Sequence, residues 1–136
     1  MKFIDANVFV RHLTQDHPAM GPAATALFRR VQAGQEEVTT CEAIITEVVY
    51  VLSSRGNYNL AHAEIRTRLV PVLTLPGVHL PQKDIYLRAL DLYVLYPGLD
   101  FEDVLLVAYM ERAGIQELLS YDRDFDRVQG LTRHEP

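Results

Sequence analysis

The sequence predicts an α/β fold, a small and mainly parallel central sheet flanked by helices, and three observations carry the prediction. Short apolar or β-branched runs at Phe3-Ile4, 38–40 and 117–121 alternate with longer stretches of helical periodicity. No internal repeat, low-complexity stretch or linker interrupts that alternation. A length of 136 residues suits one compact domain over 1–136 rather than two separate ones, and such a chain buries roughly two-thirds of its unfolded surface.

The elements follow in order. Phe3-Ile4 reads as a strand ending on Asp5, and 7–13 as a short helix with Val8, Phe9 and Leu13 apolar. His17-Pro18 breaks it, because a residue before proline avoids the helical region. A second helix runs from Pro18 or Pro22 to Ala33, with Gly34 as its stop. Its final Arg29 and Arg30 favour the negative end of the helix. Val38-Thr39-Thr40 is a second strand, and 41–54 an apolar helix ended by Gly56. A helix over 60–69 should stop before Pro71, with Leu73-Thr74-Leu75 strand-like and Pro76-Gly77 a turn. A short strand at 78–80, a helix over 83–96 and a helix over 101–113, capped by Asp100 and stopped by Gly114, come next. The chain closes with a strand at 117–121, an acidic turn at 122–126 and a polar tail.

Composition narrows function. Apolar residues at 49% and charged residues at 23% are those of an ordinary globular protein and exclude a disordered chain. No apolar run nears the roughly 18 residues that span a bilayer, and no secretory leader is visible, so no membrane association is expected and a cytoplasmic location is the default. Cys41, the single cysteine, excludes an internal disulfide and a cysteine-based zinc site, and is expected as a small buried residue. The formal charge of −5 argues against a generally basic nucleic-acid binder. Two facts temper that inference: all the cations except Lys2 and Lys83 are Arg, the side chain suited to phosphate, and metal-binding carboxylates count as negative until a cation neutralises them. Neither lysine lies in a glycine-rich context, which excludes a Walker-type phosphate loop.

The chemistry lies in the acids. Asp5 and Asp122 each follow a candidate strand, Glu47 lies inside a helix that follows one, and Asp103 occupies the first turn of another helix. If the first and last strands are parallel neighbours, these acids share one edge of the sheet, where α/β folds place their sites. Each also has a plain structural role. Asp100 and Asp103 have nearly the spacing of a capping box, and 122–126 could be a solvated turn. Glu47 has Ala43, Tyr50 and Val51 at contact spacing, so full exposure is not expected. An EF-hand is excluded for 122–133, because Arg127 and Arg133 stand where that loop needs Gly and Glu. Two carboxylates about 4 Å apart repel by about 4 kcal/mol at an effective dielectric of about 20. A converging set must therefore take up protons or bind cations. Oxygen-only ligands suit Mg²⁺ or Mn²⁺, and such a centre suits phosphoryl chemistry.

Four segments then stand together: Phe3-Ile4-Asp5-Ala6-Asn7-Val8, Ile45-Thr46-Glu47-Val48, Asp103-Val104-Leu105-Leu106-Val107-Ala108 and Ser120-Tyr121-Asp122-Arg123-Asp124-Phe125. In order and rough spacing they resemble the PIN-domain ribonucleases, most closely the VapC-like toxins of toxin–antitoxin pairs. The resemblance covers essentially the whole chain and implies a single PIN-like domain over 1–136. It also implies an endoribonuclease using Mg²⁺ or Mn²⁺, with Asp5, Glu47, Asp103 and Asp122 on the four acidic positions. Asp5 and Asp103 are then the principal metal ligands, and Glu47 and Asp122 complete or orient the hydrated ion. Asn7 and Ser120 match polar supporting positions, Phe125 matches a core aromatic, and Asp124 could share or replace the role of Asp122. Arg11 and Arg123 are weaker candidates for contacts to the RNA backbone. A small antitoxin and a homodimer are the partners the resemblance implies. Three other readings remain: an RNA-processing nuclease without a toxin role, a non-catalytic RNA-binding scaffold, and a phosphoaspartyl phosphatase. The last is disfavoured by Asn7, where that chemistry wants a second acid.

Overall fold

The structure, a computed structural model, describes residues 1–136 as two compact units, Met1–Lys83 and Asp84–Pro136. The first contains β1 (Lys2–Phe3), α1 (Ala6–Thr14), α2 (Met20–Gln32), β2 (Val38–Thr39), α3 (Glu42–Ser53), α4 (His62–Leu73) and β3 (Val78–His79). The strands pair in the order β1-β2-β3, all parallel, with Lys2 opposite Val38 and Val38 opposite Val78. Each strand is only two residues long, so the sheet is a narrow seam and the helices supply most of the core. Phe9 and Val10 of α1, Phe28 and Val31 of α2, Ile45, Val48, Val49 and Leu52 of α3, and Ile65 and Leu69 of α4 are all buried. Removing one such side chain from water contributes about 1.5–3 kcal/mol. The Phe9 and Phe28 rings meet with centroids 5.6 Å apart.

Two backbone positions hold this unit's connections together. Gln15 ends α1 in the left-handed region at φ 55°, and its amide donates to the carbonyls of His12 and Gly21 and to Thr25 Oγ1, tying α1 to α2. Gly77 enters β3 against the end of α2. A Cβ there would lie 2.8 Å from Val31 Cγ1 and 3.2 Å from the backbone oxygens of Val31 and Glu36, a space open only to glycine.

Two sequence expectations change here. The helix expected to stop before Pro71 runs on to Leu73, which makes Leu73-Thr74-Leu75 a helix end rather than a strand. Pro71 lies in the last turn, where its missing N–H removes one bond, and burial of Leu69, Val72 and Leu73 holds the turn closed. Cys41 is exposed rather than buried. It is the extended residue that precedes α3, outside the helix face that packs.

The second unit is built from α5 (Lys83–Leu95), α6 (Phe101–Ala113), β4 (Glu117–Leu119), one 3-10 helix (Arg123–Arg127) and β5 (Thr132–His134). Asp100 caps α6 by accepting from the Asp103 N–H at 2.9 Å, and Gly114 ends it at φ 70°, both as the sequence predicts. Tyr93 of α5 meets Phe101 of α6 edge to face at 5.8 Å. The segment expected to be a polar tail is β5, parallel to β4 with Glu117 opposite Thr132 and Leu119 opposite His134. The last predicted strand therefore pairs with residues that follow it, and β1 pairs with β2; the first and last strands of the prediction are not ladder neighbours. No apolar alternation marks Thr132-Arg133-His134, because its strand is anchored by polar contacts: Arg133 donates to Asp126 at 2.9 Å and to the Ser120 carbonyl at 2.9 Å. No helix is long and apolar enough to cross a membrane.

Candidate active site

Three of the aspartates that the sequence singles out begin helices. Asp5, extended at φ −97°, accepts the Asn7 N–H at 3.1 Å and caps α1. Asp100 caps α6. Asp122 accepts the Asp124 N–H at 2.9 Å and caps the 3-10 turn. Each cap engages one carboxylate oxygen with a backbone donor. The second oxygen is left for another partner, so capping fixes the orientation of the acid without exhausting its donor capacity.

In the second unit the acids act on one another. Asp103, half-buried in the first turn of α6, has its carboxyl pushed up to about 6, first by burial, then by the charge of Asp100 and the hydrogen bond between the two carboxyl groups, and also by the charge of Asp122. Ser120 supports Asp122 from behind, its Oγ accepting the Asp122 N–H at 3.0 Å. Asp124 faces elsewhere, with Arg127 3.8 Å from its carboxylate. Phe125 is buried, as expected for a core aromatic.

In the first unit Asp5 and Glu47 are both exposed. The exposure of Glu47 departs from the expectation, because the neighbours expected to shield it, Ala43 and Tyr50, do not close over it: both are themselves exposed. The packed stripe of α3 runs through Ile45, Val48, Val49 and Leu52, leaving Glu47 on the face that α3 does not pack. Asn7 is an exposed side chain in the first turn of α1. Arg11 is committed to an ion pair with Asp16 at 3.2 Å, and its buried Nε has no partner. Arg123 is exposed, and its charge helps to hold the carboxyl of Asp126 low, behind the larger effect of Arg133.

In neither unit are three or more His, Cys, Asp or Glu side chains gathered so as to hold a metal ion. The structure brings Asp103 and Asp122 into electrostatic reach within one unit and sets Asp5 and Glu47 in the other. The chemistry of the donors nevertheless fits a hard cation: all are carboxylate oxygens, and Asp103, raised first by burial, also lies within reach of the charges of Asp100 and Asp122, which a divalent ion would neutralise.

Sequence reasoning missed one acid beside the site and one structural acid away from it. Asp100 is more than a cap, since its carboxyl is the foremost charge acting on Asp103; the three-residue spacing was the available signal. Asp16 is the centre of a polar cluster, receiving Tyr58 Oη at 2.5 Å, Thr14 Oγ1 at 2.8 Å and Arg11 Nη1 at 3.2 Å. Its partner Tyr58 lies 42 residues away, and no local pattern announces that pairing.

The sequence pattern of the PIN domain matches residues 2–131. The chain belongs to the PIN-domain family, a family of nucleases. Among solved structures it is similar to the VapC20 toxin of Mycobacterium tuberculosis, described as cleaving the sarcin–ricin loop, with 22% identity, 93% of each chain covered and a TM-score of 0.40. No curated protein is similar enough to count as a match.

Proposed function

We propose that the chain is a divalent-metal-dependent endoribonuclease that hydrolyses RNA phosphodiester bonds, and that it serves as the toxin of a VapBC-type pair. The observation that carries the chemistry is the carboxyl of Asp103, raised to about 6 beside Asp100 and Asp122. A half-buried carboxyl raised by burial and by neighbouring like charges marks a candidate functional site, and family membership supplies the reaction class.

In this reading Asp5 and Asp103 bind Mg²⁺ or Mn²⁺, and Glu47 and Asp122 orient its water ligands. A bound divalent ion supplies an acidified water and neutralises charge on the phosphate. The chain's own contribution is orientation. The Asn7 N–H fixes the Asp5 carboxylate, and Ser120 together with the Asp124 N–H fixes Asp122. Asp122 takes precedence over Asp124 as the fourth acid, because Asp122 acts on Asp103 while Asp124 is paired with Arg127. We also read 1–136 as a single PIN-like domain, since the family pattern runs through both units.

The test is cleavage of structured RNA with Mg²⁺ or Mn²⁺. Activity is expected to vanish with EDTA and with Asp5→Asn; survival of either treatment overturns the metal mechanism. The toxin role, the small antitoxin and the homodimer rest on the likeness of the four motifs to VapC-like toxins. Induced expression should arrest growth, and co-expression of a short DNA-binding protein encoded next to this gene should relieve the arrest. Sedimentation would establish the dimer.

A further inference from the structure

The seven tyrosines divide sharply by environment. Tyr86 and Tyr93 are buried, Tyr58 donates to Asp16, and the Tyr96 hydroxyl accepts the Gln129 N–H at 3.2 Å. Tyr109 is 36% exposed. Only Tyr50 and Tyr121 stand mostly in water, at 67% and 71%. Both adjoin a candidate acid: Tyr121 immediately precedes Asp122, and Tyr50 follows Glu47 by three residues on the same unpacked face of α3. Single exposed aromatics are common on protein surfaces, but here the two most exposed tyrosines are the two beside acids of the site.

The surroundings of Tyr121 sharpen the inference. It sits between Ser120, which is pinned by the Asp122 N–H and by the bond from Arg133 to its carbonyl, and Asp122, which is pinned as a cap. The backbone carrying the ring is thus held on both sides while the ring itself projects into water. Arg123 follows directly, and Arg127, with 61% of its side chain exposed, lies one turn further. A fixed aromatic ring with arginines nearby is the combination that binds single-stranded nucleic acid: stacking takes the base and guanidinium takes the phosphate.

Resting on the nuclease reading above, we propose that Tyr121 stacks on an unpaired base next to the scissile phosphate, beside the Asp122 that orients the ion's water, and that Tyr50 stacks on another beside Glu47. The two tyrosines are positioning residues, and they touch bases rather than reacting atoms. Stacking contributes about 1–3 kcal/mol per base, equivalent to about 5-fold to 150-fold in affinity.

The experiment uses the full chain carrying Asp5→Asn, so that RNA survives, with single-stranded RNA oligonucleotides of mixed sequence, each bearing one 2-aminopurine. Binding should quench the fluorophore. Tyr121→Phe should keep the quench and the affinity, and Tyr121→Leu should lose the quench and weaken binding at least about 5-fold. In the cleaving chain Tyr121→Leu should raise KM by the same factor, with the smaller change in kcat; Tyr50→Leu should behave alike, more weakly. Unchanged binding in Tyr121→Leu, or equal loss in Leu and Phe variants, overturns the stacking role while cleavage by the unaltered chain keeps the nuclease reading intact. RNA that the unaltered chain neither binds nor cleaves overturns both.

Discussion

Two aspartates illustrate opposite uses of the same side chain. Asp16, between α1 and α2, lies among donors: Tyr58, Thr14 and Arg11 hold its carboxyl down to about 2. Asp103, in the first turn of α6, lies among acceptors, where burial and the charges of Asp100 and Asp122 push it up to about 6. The first has every need met inside the chain and serves to fasten a connection. The second has a need that the chain leaves open. A carboxylate surrounded by donors is finished; one surrounded by carboxylates waits for a cation or a proton. Composition alone does not separate them, and the nearest neighbours do.

The largest effect that would break this contrast is on catalysis. Asp103→Asn should lower RNA cleavage by about 100-fold or more, because even the groups that merely support a metal ligand are worth about 10- to 100-fold. Asp16→Asn should leave the rate per folded molecule unchanged. Equal losses in the two variants would mean that Asp16 belongs to the site.

Next comes stabilisation by metal. Mg²⁺ or Mn²⁺ at about 100 times its dissociation constant should raise stability by about 2.7 kcal/mol, measured as a shift in Tm. The shift should persist in Asp16→Asn and disappear in Asp103→Asn. A shift of the same size in both variants would move the cation elsewhere.

The pH dependence should run in opposite directions. The folded-state pKa of Asp103 lies above its ordinary 3.8, so the folded chain holds the extra proton between about 4 and 6. Without metal, that contribution to stability is present in acid and is lost as pH rises through this window. Asp16 lies below its ordinary 3.8, so its contribution is present above about 4 and is lost as pH falls towards 2. Denaturant titrations across pH should therefore show Asp103→Asn flattening the decline between about 4 and 6, and Asp16→Asn flattening the decline below about 4. A variant that changes the other window would reverse the assignment.

The smallest effect belongs to Tyr58→Phe. It removes the strongest donor to Asp16, so the carboxyl should titrate higher, measured by carbon NMR, with no change in cleavage.

What could be read from the residues was what local chemistry encodes. Asp100 and Gly114 bracket α6 as their types predict, since an acid cap and a left-handed glycine each act within one turn. The three parallel strands fall at the short apolar or β-branched stretches around 3–4, 38–40 and 78–80, which helices separate. Where the expectation failed, a distant partner or a solvent-facing direction decided the outcome. Pro71 stays helical because Leu69, Val72 and Leu73 around it are buried, β5 forms because Arg133 finds Asp126 and Ser120, and Glu47 is exposed because α3 buries a different face. Asp5 and Asp103 were recognisable from their motifs, whereas the acidity of Asp103 depends in part on Asp122, which is separated from it by nearly all of α6 and by β4.

The pairing of β4 with β5 has a practical consequence for anyone handling the protein. Ser120, whose hydroxyl holds the Asp122 N–H, is itself held through its own N–H by the His134 carbonyl at 2.9 Å and through its carbonyl by Arg133. Residues 132–134 are thus a brace for Asp122. A cut after Leu131, or a bulky fusion that pries β5 away, should loosen Asp122 while leaving α5 and α6 folded. Loss of activity in such a preparation would report a missing brace rather than a missing catalytic group.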